Sequence, residues 1–186
     1  MKALLLISGG FDSAVAGYLV NKQGIEVSAI HFSYEPFTDN GPEIKSREAC
    51  KILGIKDFKV VNISKECGKI AKECNHRLYF ILTKRLMMKL AEKEAEKQGC
   101  TFLITGENLA QVSSQTLKNL QAITKAVEIQ ILRPLLTYDK TEILKIAKEI
   151  GTYDVSIGPE VCDVLGPKHP ATTCKLEEIE AEERKI

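Results

Sequence analysis

The chain has 186 residues, of which 44% are hydrophobic and 27% charged, a composition typical of one globular domain with a sizeable core. The 26 Lys and Arg against 25 Asp and Glu give a formal net charge of +1, which argues against a strongly basic nucleic-acid binder. The opening MKALLLIS is interrupted by GGFDS before it reaches the length of a signal sequence, and no later run approaches a membrane span. We therefore expect a cytoplasmic protein with no membrane partner.

Short β-rich runs alternate with stretches of helical periodicity along the chain. In chain order, the predicted strands are KALLLIS, IEVSAIHFSY, FKVVNIS, TFLITGE and IQILRPLL, and the predicted helices are AVAGYLVNKQG, EIKSREACKILG, FILTKRLMMKLAEKEAEKQG, AQVSSQTLKNLQAITKA and KTEILKIAKEIG. Strands separated by helices of this length form right-handed βαβ crossovers. The sequence therefore predicts an α/β fold, an open parallel sheet of about five strands with helices on both faces.

Several predicted helices end at residues that favour termination. Gly24, Gly54, Gly99 and Gly151 each close a helical pattern where a left-handed residue is expected, and Asp139 opens one as an N-cap.

The last part of the chain is predicted to be less regular. TYDVSIGPEVCDVLGPKHPATTC, residues 152–174, is rich in Pro, Gly and Thr and predicts a long loop at the edge of the sheet, and such loops are often functional. KLEEIEAEERKI, residues 175–186, is charged with a thin apolar stripe and predicts a solvated terminal helix. We expect the main domain of the chain over residues 1–174 and a charged helix or tail over 175–186.

The first predicted strand leads into the turn Ser8-Gly9-Gly10-Phe11-Asp12-Ser13, which enters the first predicted helix. Such a turn presents free backbone N–H groups and the positive end of a helix dipole. Glycines let the main chain approach a phosphate closely, and the hydroxyls of Ser8 and Ser13 can add donors. The turn matches neither a Walker loop nor a G-x-G-x-x-G dinucleotide loop. The alternative is an ordinary turn in which Asp12 or Ser13 only caps the helix.

The pattern S-G-G-x-D-S resembles the pyrophosphate loop of the N-type ATP pyrophosphatases, which split ATP to AMP and pyrophosphate while adenylating a substrate. The resemblance implies that the loop holds the pyrophosphate portion of ATP and that Asp12 is needed for activity through Mg²⁺. Asp12 is a poor direct phosphate ligand because like charges repel, so a bridging metal or a structural role fits it better.

Two further motifs narrow the family. TGENLAQVSSQTLKNL, residues 105–120, and GPKHPAT, residues 166–172, resemble segments of the tRNA 4-thiouridine synthases, sulfurtransferases also tied to thiamine biosynthesis. With the first loop, three motifs in the right order cover nearly the whole chain. The resemblance implies an adenine nucleotide alpha hydrolase-like fold in which ATP is held by Leu6, Ile7, Ser8, Gly9, Gly10, Asp12, Ser13, His31, Phe32, Lys84, Gly106 and Gln115.

Each of these positions has an ordinary explanation beside the functional one. Ile7, Phe32 and Gly106 fall at predicted strand ends, which meet along one edge of a parallel sheet. His31 is as well explained by strand packing as by ligand contact, and Lys84 by a solvated helix face.

The resemblance implies ATP-dependent adenylation of a tRNA uridine, release of pyrophosphate, and sulfur transfer with release of AMP to form 4-thiouridine. Family members usually carry an N-terminal THUMP domain that grips tRNA, whereas this chain starts almost directly on the first predicted strand. A separate THUMP-type RNA-binding protein or a second copy in a homodimer would then supply tRNA recognition, or the acceptor is not tRNA. The alternatives are adenylation of a non-tRNA acceptor and a non-catalytic adenine-nucleotide binding module.

Six cysteines occur at irregular spacings, at Cys50, Cys67, Cys74, Cys100, Cys162 and Cys174, which favours reduced thiols over a disulfide framework. In the family, the cysteine at the position of Cys162 takes part in persulfide transfer and pairs with a cysteine on a rhodanese-like domain, which this chain lacks. We hypothesise that Cys162 and Cys174 form the working catalytic pair and that an external donor supplies sulfur. The alternative is that Cys174 is a bystander.

No CxxC pair occurs, which weakens the case for a zinc or iron–sulfur site. Some archaeal relatives carry such a pair where Phe80 and Thr83 stand in this chain, so a cluster built in that way is not expected. Cys67 and Cys74 lie two helical turns apart, and packing on a helix face explains them better than a cluster.

Overall fold

The computed structural model describes residues 1–109, 115–158 and 164–186. Five parallel strands form one sheet in the order β3-β2-β1-β4-β5. They are β1 (Lys2–Leu6), β2 (Glu26–Ser33), β3 (Phe58–Asn62), β4 (Phe102–Ile104) and β5 (Gln130–Leu132). The predicted open parallel sheet is confirmed.

Helices cover both faces of this sheet, as predicted. They are α1 (Phe11–Asn21), α2 (Gly41–Ile52), α3 (Ser64–Glu73), α4 (Tyr79–Gln98), α5 (Leu117–Thr124), α6 (Lys140–Glu149), α7 (Tyr153–Ser156) and α8 (Leu176–Glu183), with a 3₁₀ turn at His76–Leu78 before α4. Successive side chains of β1 point to opposite faces of the sheet and so belong to two separate cores. Ala3 and Leu5 pack with α1, α2 and α6, whereas Leu4 packs with α3, α4, α5 and α8.

The order of the strands reverses beside β1. β2 and β3 extend the sheet to one side of β1, and β4 and β5 extend it to the other. The register places Leu5 opposite both Ala29 and Ile104, so β1 and β4 end within one residue of each other, and β2 continues a few residues farther, to Ser33. Ligands of open α/β sheets bind at such a switch point, beyond the carboxyl ends of the strands.

The predicted helix ends are also confirmed. Gly99 is the left-handed C-cap residue of α4, and Gly24, Gly54 and Gly151 adopt positive φ one or two residues beyond the C-caps of the helices they follow. Asp139 caps α6 in a capping box, in which its carboxylate accepts from the backbone N–H of the third helical residue and the carboxylate of that residue accepts from the N–H of Asp139.

Three elements differ from the sequence-based expectation. For α3 the sequence predicts only a helix face at Cys67 and Cys74, without bounds, and α7 lies inside the segment predicted as a long loop. The described part of the helix predicted over residues 110–126 begins only at Leu117, because Thr116 accepts from the Asn119 N–H as an N-cap.

The terminal helix is packed on one side rather than wholly solvated. Ile179 of α8 is fully buried in the core on the α4 side of the sheet. Glu183 accepts from Nε and Nη2 of Arg85 at 2.8 and 2.9 Å, and Arg85 is itself only 3% exposed. The predicted terminal helix is present and its acidic face is exposed, but it is not wholly solvated, since Ile179 and the ion pair of Arg85 with Glu183 hold α8 on α4. No helix among the described residues is long and apolar enough to span a bilayer.

Candidate functional site

The turn Ser8–Ser13, here called the first loop, connects β1 to α1 at the point where the strand order reverses. Its two serines tie the loop to itself. Ser13 Oγ accepts from the Ser8 N–H and donates to the Gly10 carbonyl, both at 3.1 Å, and Ser8 Oγ accepts from the Gly10 N–H at 3.4 Å. Ser13 therefore bonds backward into the loop, and Gly10, in extended conformation, is the N-cap residue of α1.

Two glycines of the predicted site are required by close approach of other elements. Gly9 has a φ of +83°, and a Cβ there would lie 2.8 Å from the Pro42 carbonyl oxygen of α2. Gly106 follows β4, and a Cβ there would lie 2.6 Å from the Asp12 carbonyl carbon and from the Ser13 nitrogen. The carboxyl end of β4 is therefore pressed against the start of α1.

The strand-end residues predicted to contact ATP are mostly buried. Ile7, His31 and Phe32 are 2%, 3% and 6% exposed, and Leu6 is half-buried. His31 Nδ1 lies 2.9 Å from the Ile7 carbonyl oxygen and 3.1 Å from Ser46 Oγ. Burial lowers the pKa of His31, although the hydrogen bond with the Ile7 carbonyl acts to raise it. A neutral imidazole therefore contacts the main chain at Ile7, just before the first loop.

A buried carboxylate, Glu107, joins two cations at the same edge of the sheet. Its side chain is 6% exposed, with Oε1 lying 3.0 Å from Lys84 Nζ of α4 and Oε2 lying 2.7 Å from Arg133 Nε, just after β5. Burial acts to raise the pKa of Glu107, but Lys84 and Arg133 outweigh it and hold that pKa below its ordinary value. The interpretation of Lys84 as part of a solvated helix face is therefore wrong.

Gln115 is held beside the loop that follows β4. Its Oε1 accepts from the Asn108 N–H at 2.7 Å, so its amide nitrogen remains as a donor. Asn108 Nδ2 in turn donates to the carbonyls of Leu135 and Tyr138, which ties this loop to the segment between β5 and α6. The structure thus brings Gly106, Glu107 and Gln115 together through this loop.

Residues 164–174, here called the strap, lie across the starts of α4 and α5. The Ala171 N–H donates to the Arg77 carbonyl at 2.9 Å, and Thr116 Oγ1 donates to the Thr172 carbonyl at 2.8 Å. Gly166 lies so close to Phe80 that a Cβ there would overlap the ring. The strap therefore packs directly on Phe80 at the start of α4.

Of the two cysteines predicted to form a catalytic pair, Cys174 is the one that lies among the described residues. Cys162 lies outside the described residues. Cys174 ends the strap in a half-buried position, where burial and then Glu178 raise the pKa of its thiol while Arg77 acts to lower it. A raised pKa keeps Cys174 mainly protonated at neutral pH. Their pairing stays a prediction.

The remaining cysteines are structural. Cys67 is fully buried in the core, Cys74 packs against the same core, and burial raises the pKa of Cys67 to about 11 and that of Cys50 to about 12. Packing of Cys67 on a face of α3 is therefore confirmed, whereas Cys74, the extended C-cap residue of α3, packs on the core from just beyond the helix. Among the described residues, no group of three His, Cys, Asp or Glu side chains is placed to hold a metal ion.

Comparison with known proteins identifies the family. The family described as thiamine biosynthesis protein (ThiI) matches residues 1–186. The chain belongs to this family. A probable tRNA sulfurtransferase of Caldanaerobacter subterraneus is 43% identical over 98% of this chain, and one of Alkaliphilus oremlandii is 42% identical over all of it. This ThiI-family chain spans about half the length of these relatives, 50% and 49% respectively.

Solved structures agree with this assignment. A 4-thiouridine synthetase in complex with RNA and bound ATP is 39% identical, has a TM-score of 0.93, and is matched over all of this chain and 50% of its own. NMN synthetase from Francisella tularensis, at 16% identity, shares the fold with a TM-score of 0.65 over 99% of this chain and 83% of its own. The predicted adenine nucleotide alpha hydrolase-like fold is confirmed.

The sequence-based reasoning missed Glu107, Arg133 and Asn108. A signal for two of them is present, because Glu107 and Arg133 each follow closely on a short apolar run, in TFLITGE and IQILRP. A charged residue just beyond a buried strand lies at the carboxyl edge of the sheet, where ligands bind.

Proposed function

We propose that this ThiI-family chain binds ATP at the carboxyl edge of the sheet and uses it to adenylate a uridine of tRNA, as the first half of 4-thiouridine formation. The observation that carries this proposal is the likeness, over the whole chain, to a 4-thiouridine synthetase with RNA and ATP bound. The conformation of the first loop supports it, since the loop is glycine-rich and leads into the N-terminus of α1.

The nucleotide would lie across the switch point of the sheet. The half-buried Leu6 offers apolar surface for the adenine, and the buried Ile7 and Phe32 support this edge of the sheet from within the core. Gly106 offers main-chain groups without a side chain of its own in the way. Gln115 accepts from the Asn108 N–H through its amide oxygen, which leaves the amide nitrogen as the donor that can face a nucleotide.

The phosphates would lie at the first loop. The dipole of α1, whose N-terminus lies at this loop, favours negative charge there, and Lys84 adds a cation. Asp12, in the first turn of α1, suits Mg²⁺, which prefers oxygen ligands and is held by one or two carboxylates together with substrate phosphates. When bound, Mg²⁺ would neutralise part of the phosphate charge.

The chemistry follows from the poor leaving ability of the uridine oxygen. The O4 oxygen attacks the α-phosphorus of ATP, the bond to the β-phosphate breaks, and pyrophosphate leaves. Sulfur then adds at C4 and the C4–O bond breaks, so AMP departs with the former uridine oxygen. The protein contributes positioning and the stabilisation of phosphate charge.

Sulfur would be delivered as a persulfide on Cys162. Once its outer sulfur is bonded to C4, the Cys174 thiolate attacks Cys162 Sγ, forms a disulfide, and leaves the sulfur on the base. An external sulfur donor and an external thiol reductant restore the starting state. Recognition of tRNA would come from a separate THUMP-type protein or from a second copy of the chain.

The test is product analysis of α-labelled ATP with Mg²⁺, with and without unmodified tRNA and a sulfide source. We expect AMP and pyrophosphate only when tRNA is present, and 4-thiouridine in the digested tRNA. Asp12→Ala serves as the control and should form neither product. ATP binding without AMP formation in the presence of tRNA would refute adenylation of tRNA by this chain alone.

A further inference from the structure

Glu107 connects three elements at the carboxyl edge of the sheet. Its Oε2 is anchored from the strand side, by Arg133 Nε at 2.7 Å and by Thr105 Oγ1 at 3.2 Å. Its Oε1 is directed to α4, where Lys84 Nζ donates at 3.0 Å. One carboxylate thus fixes a helix side chain to the ends of β4 and β5, and its own position is set from the sheet.

The charges in this cluster do not cancel. Among the described residues of this cluster, two cations and one carboxylate give a formal charge of +1, and the side chains of Glu107, Arg133 and Lys84 are 6%, 13% and 28% exposed. A net positive charge that is screened little by water attracts an anion at close range. Lys84 is the most accessible member, and its ammonium has three donors, of which Glu107 takes one.

Arg133 serves as the anchor of Glu107. Its Nε donates to Glu107, and its Nη2 is buried with no hydrogen-bond partner among the described residues. A buried guanidinium keeps its charge at any physiological pH, so it holds the carboxylate ionised and in place. The accessible charge is left to Lys84.

We infer that Glu107 is a positioning residue that holds the Lys84 ammonium against the phosphates of the bound nucleotide, with Arg133 as its fixed counter-cation. This inference rests on the proposed function, in which Lys84 contacts ATP. Without Glu107, Lys84 and Arg133 would be like charges in a poorly solvated site, and the flexible lysine side chain would turn its ammonium toward water. Glu107 then acts on ATP only through Lys84.

The experiment compares the affinities of Mg-ATP and of adenosine for the whole chain by calorimetry. Glu107→Gln is expected to weaken ATP binding about 10-fold, the effect of losing one charge-assisted hydrogen bond, and to change adenosine binding less than about 2-fold. The double variant Glu107→Gln/Lys84→Met is expected to bind ATP no more weakly than Lys84→Met alone. If Glu107 had a merely structural role, Glu107→Gln would lower the affinity for both ligands, and its effect would add to that of Lys84→Met.

Glu94→Gln is the matched control. Glu94 is a buried carboxylate on the same helix as Lys84, but it accepts from Lys59 Nζ at 2.6 Å, farther along the helix. It should leave both affinities unchanged. Should Glu107→Gln fail to fold, Glu107→Asp keeps the charge and shortens the reach to Lys84 by one methylene, and it should likewise weaken ATP but not adenosine.

The outcomes separate this inference from the proposed function. A wild-type chain that does not bind ATP overturns both. The positioning role alone is overturned if the wild-type chain binds ATP and Glu107→Gln or Glu107→Asp binds it equally well. It is also overturned if either variant loses affinity for adenosine to the same extent as for ATP. Additive losses in the double variant also overturn it.

Discussion

Replacing Gly106 by alanine should displace the first loop. The new Cβ would lie 2.6 Å from the Asp12 carbonyl carbon and the Ser13 nitrogen, and 2.9 Å from the Asp12 carbonyl oxygen. All three are backbone atoms at the start of α1, so no side chain can rotate away. Either β4 or the first loop must shift by several tenths of an ångström.

The magnitude follows from the cost of overpacking, about 1–3 kcal/mol in a well-packed region. For a domain of this size each kcal/mol lowers the melting temperature by about 2–4 °C, so Gly106→Ala should melt roughly 2–12 °C below the wild type. The loss of ATP affinity should exceed that expected from stability alone, because the strained atoms belong to the loop that is proposed to bind phosphate.

The assay is thermal unfolding with and without Mg-ATP. Gly68→Ala is the matched control, since Gly68 lies inside α3 and a Cβ there would make an ordinary contact 3.5 Å from the Phe37 ring. Alanine in a helix interior should stabilise by up to about 1 kcal/mol. A Gly106→Ala variant that melts with the wild type and gains as much stability from ATP would refute this reasoning.

Three further predictions concern buried charges and thiols. Arg85→Leu should cost about 1.5–3 kcal/mol in urea unfolding, because Glu183 would lose its buried partner and keep only the more exposed Lys89 at 3.1 Å, and Arg85→Leu/Glu183→Leu should recover much of that loss. The fold holds the pKa of Glu107 below its ordinary value of 4.5, so the ionised carboxylate stabilises the protein at pH values above 4.5. This stabilisation is lost as the pH falls through the lower folded-state pKa. The difference in unfolding free energy between wild type and Glu107→Gln should therefore be constant near pH 7 and shrink below pH 4.5, and a constant difference down to the acid transition would contradict it. Cys174→Ser should abolish persulfide-dependent turnover but leave AMP formation intact, whereas unchanged turnover would make Cys174 a bystander.

The strands and the first loop could be predicted because their signals are local. β2 is buried at seven of its eight positions, so its apolar run marks a central parallel strand without knowledge of its neighbours. The paired glycines and the serines of the first loop likewise lie within six consecutive residues. Periodicity and turn chemistry act over such distances, which is why these elements agree with the structure.

The burial of charged residues could not be predicted in the same way, because it depends on partners far apart in the chain. Glu107 is stabilised by cations 23 and 26 residues away, and Arg85 by a carboxylate 98 residues away. In the sequence, Lys84 and Arg85 look like an exposed pair on a helix. The fold shows that each of them pairs with a carboxylate that is largely shielded from water.

The first loop is held by contacts from three separate parts of the fold. α2 packs against Gly9, the end of β4 packs against the Asp12–Ser13 peptide, and His31 of β2 contacts the Ile7 carbonyl just before the loop. A loop held in this way loses little conformational entropy when it binds phosphate. Substitutions at these contacts should therefore reduce ATP affinity mainly by loosening the loop, even where the altered residue never touches the nucleotide.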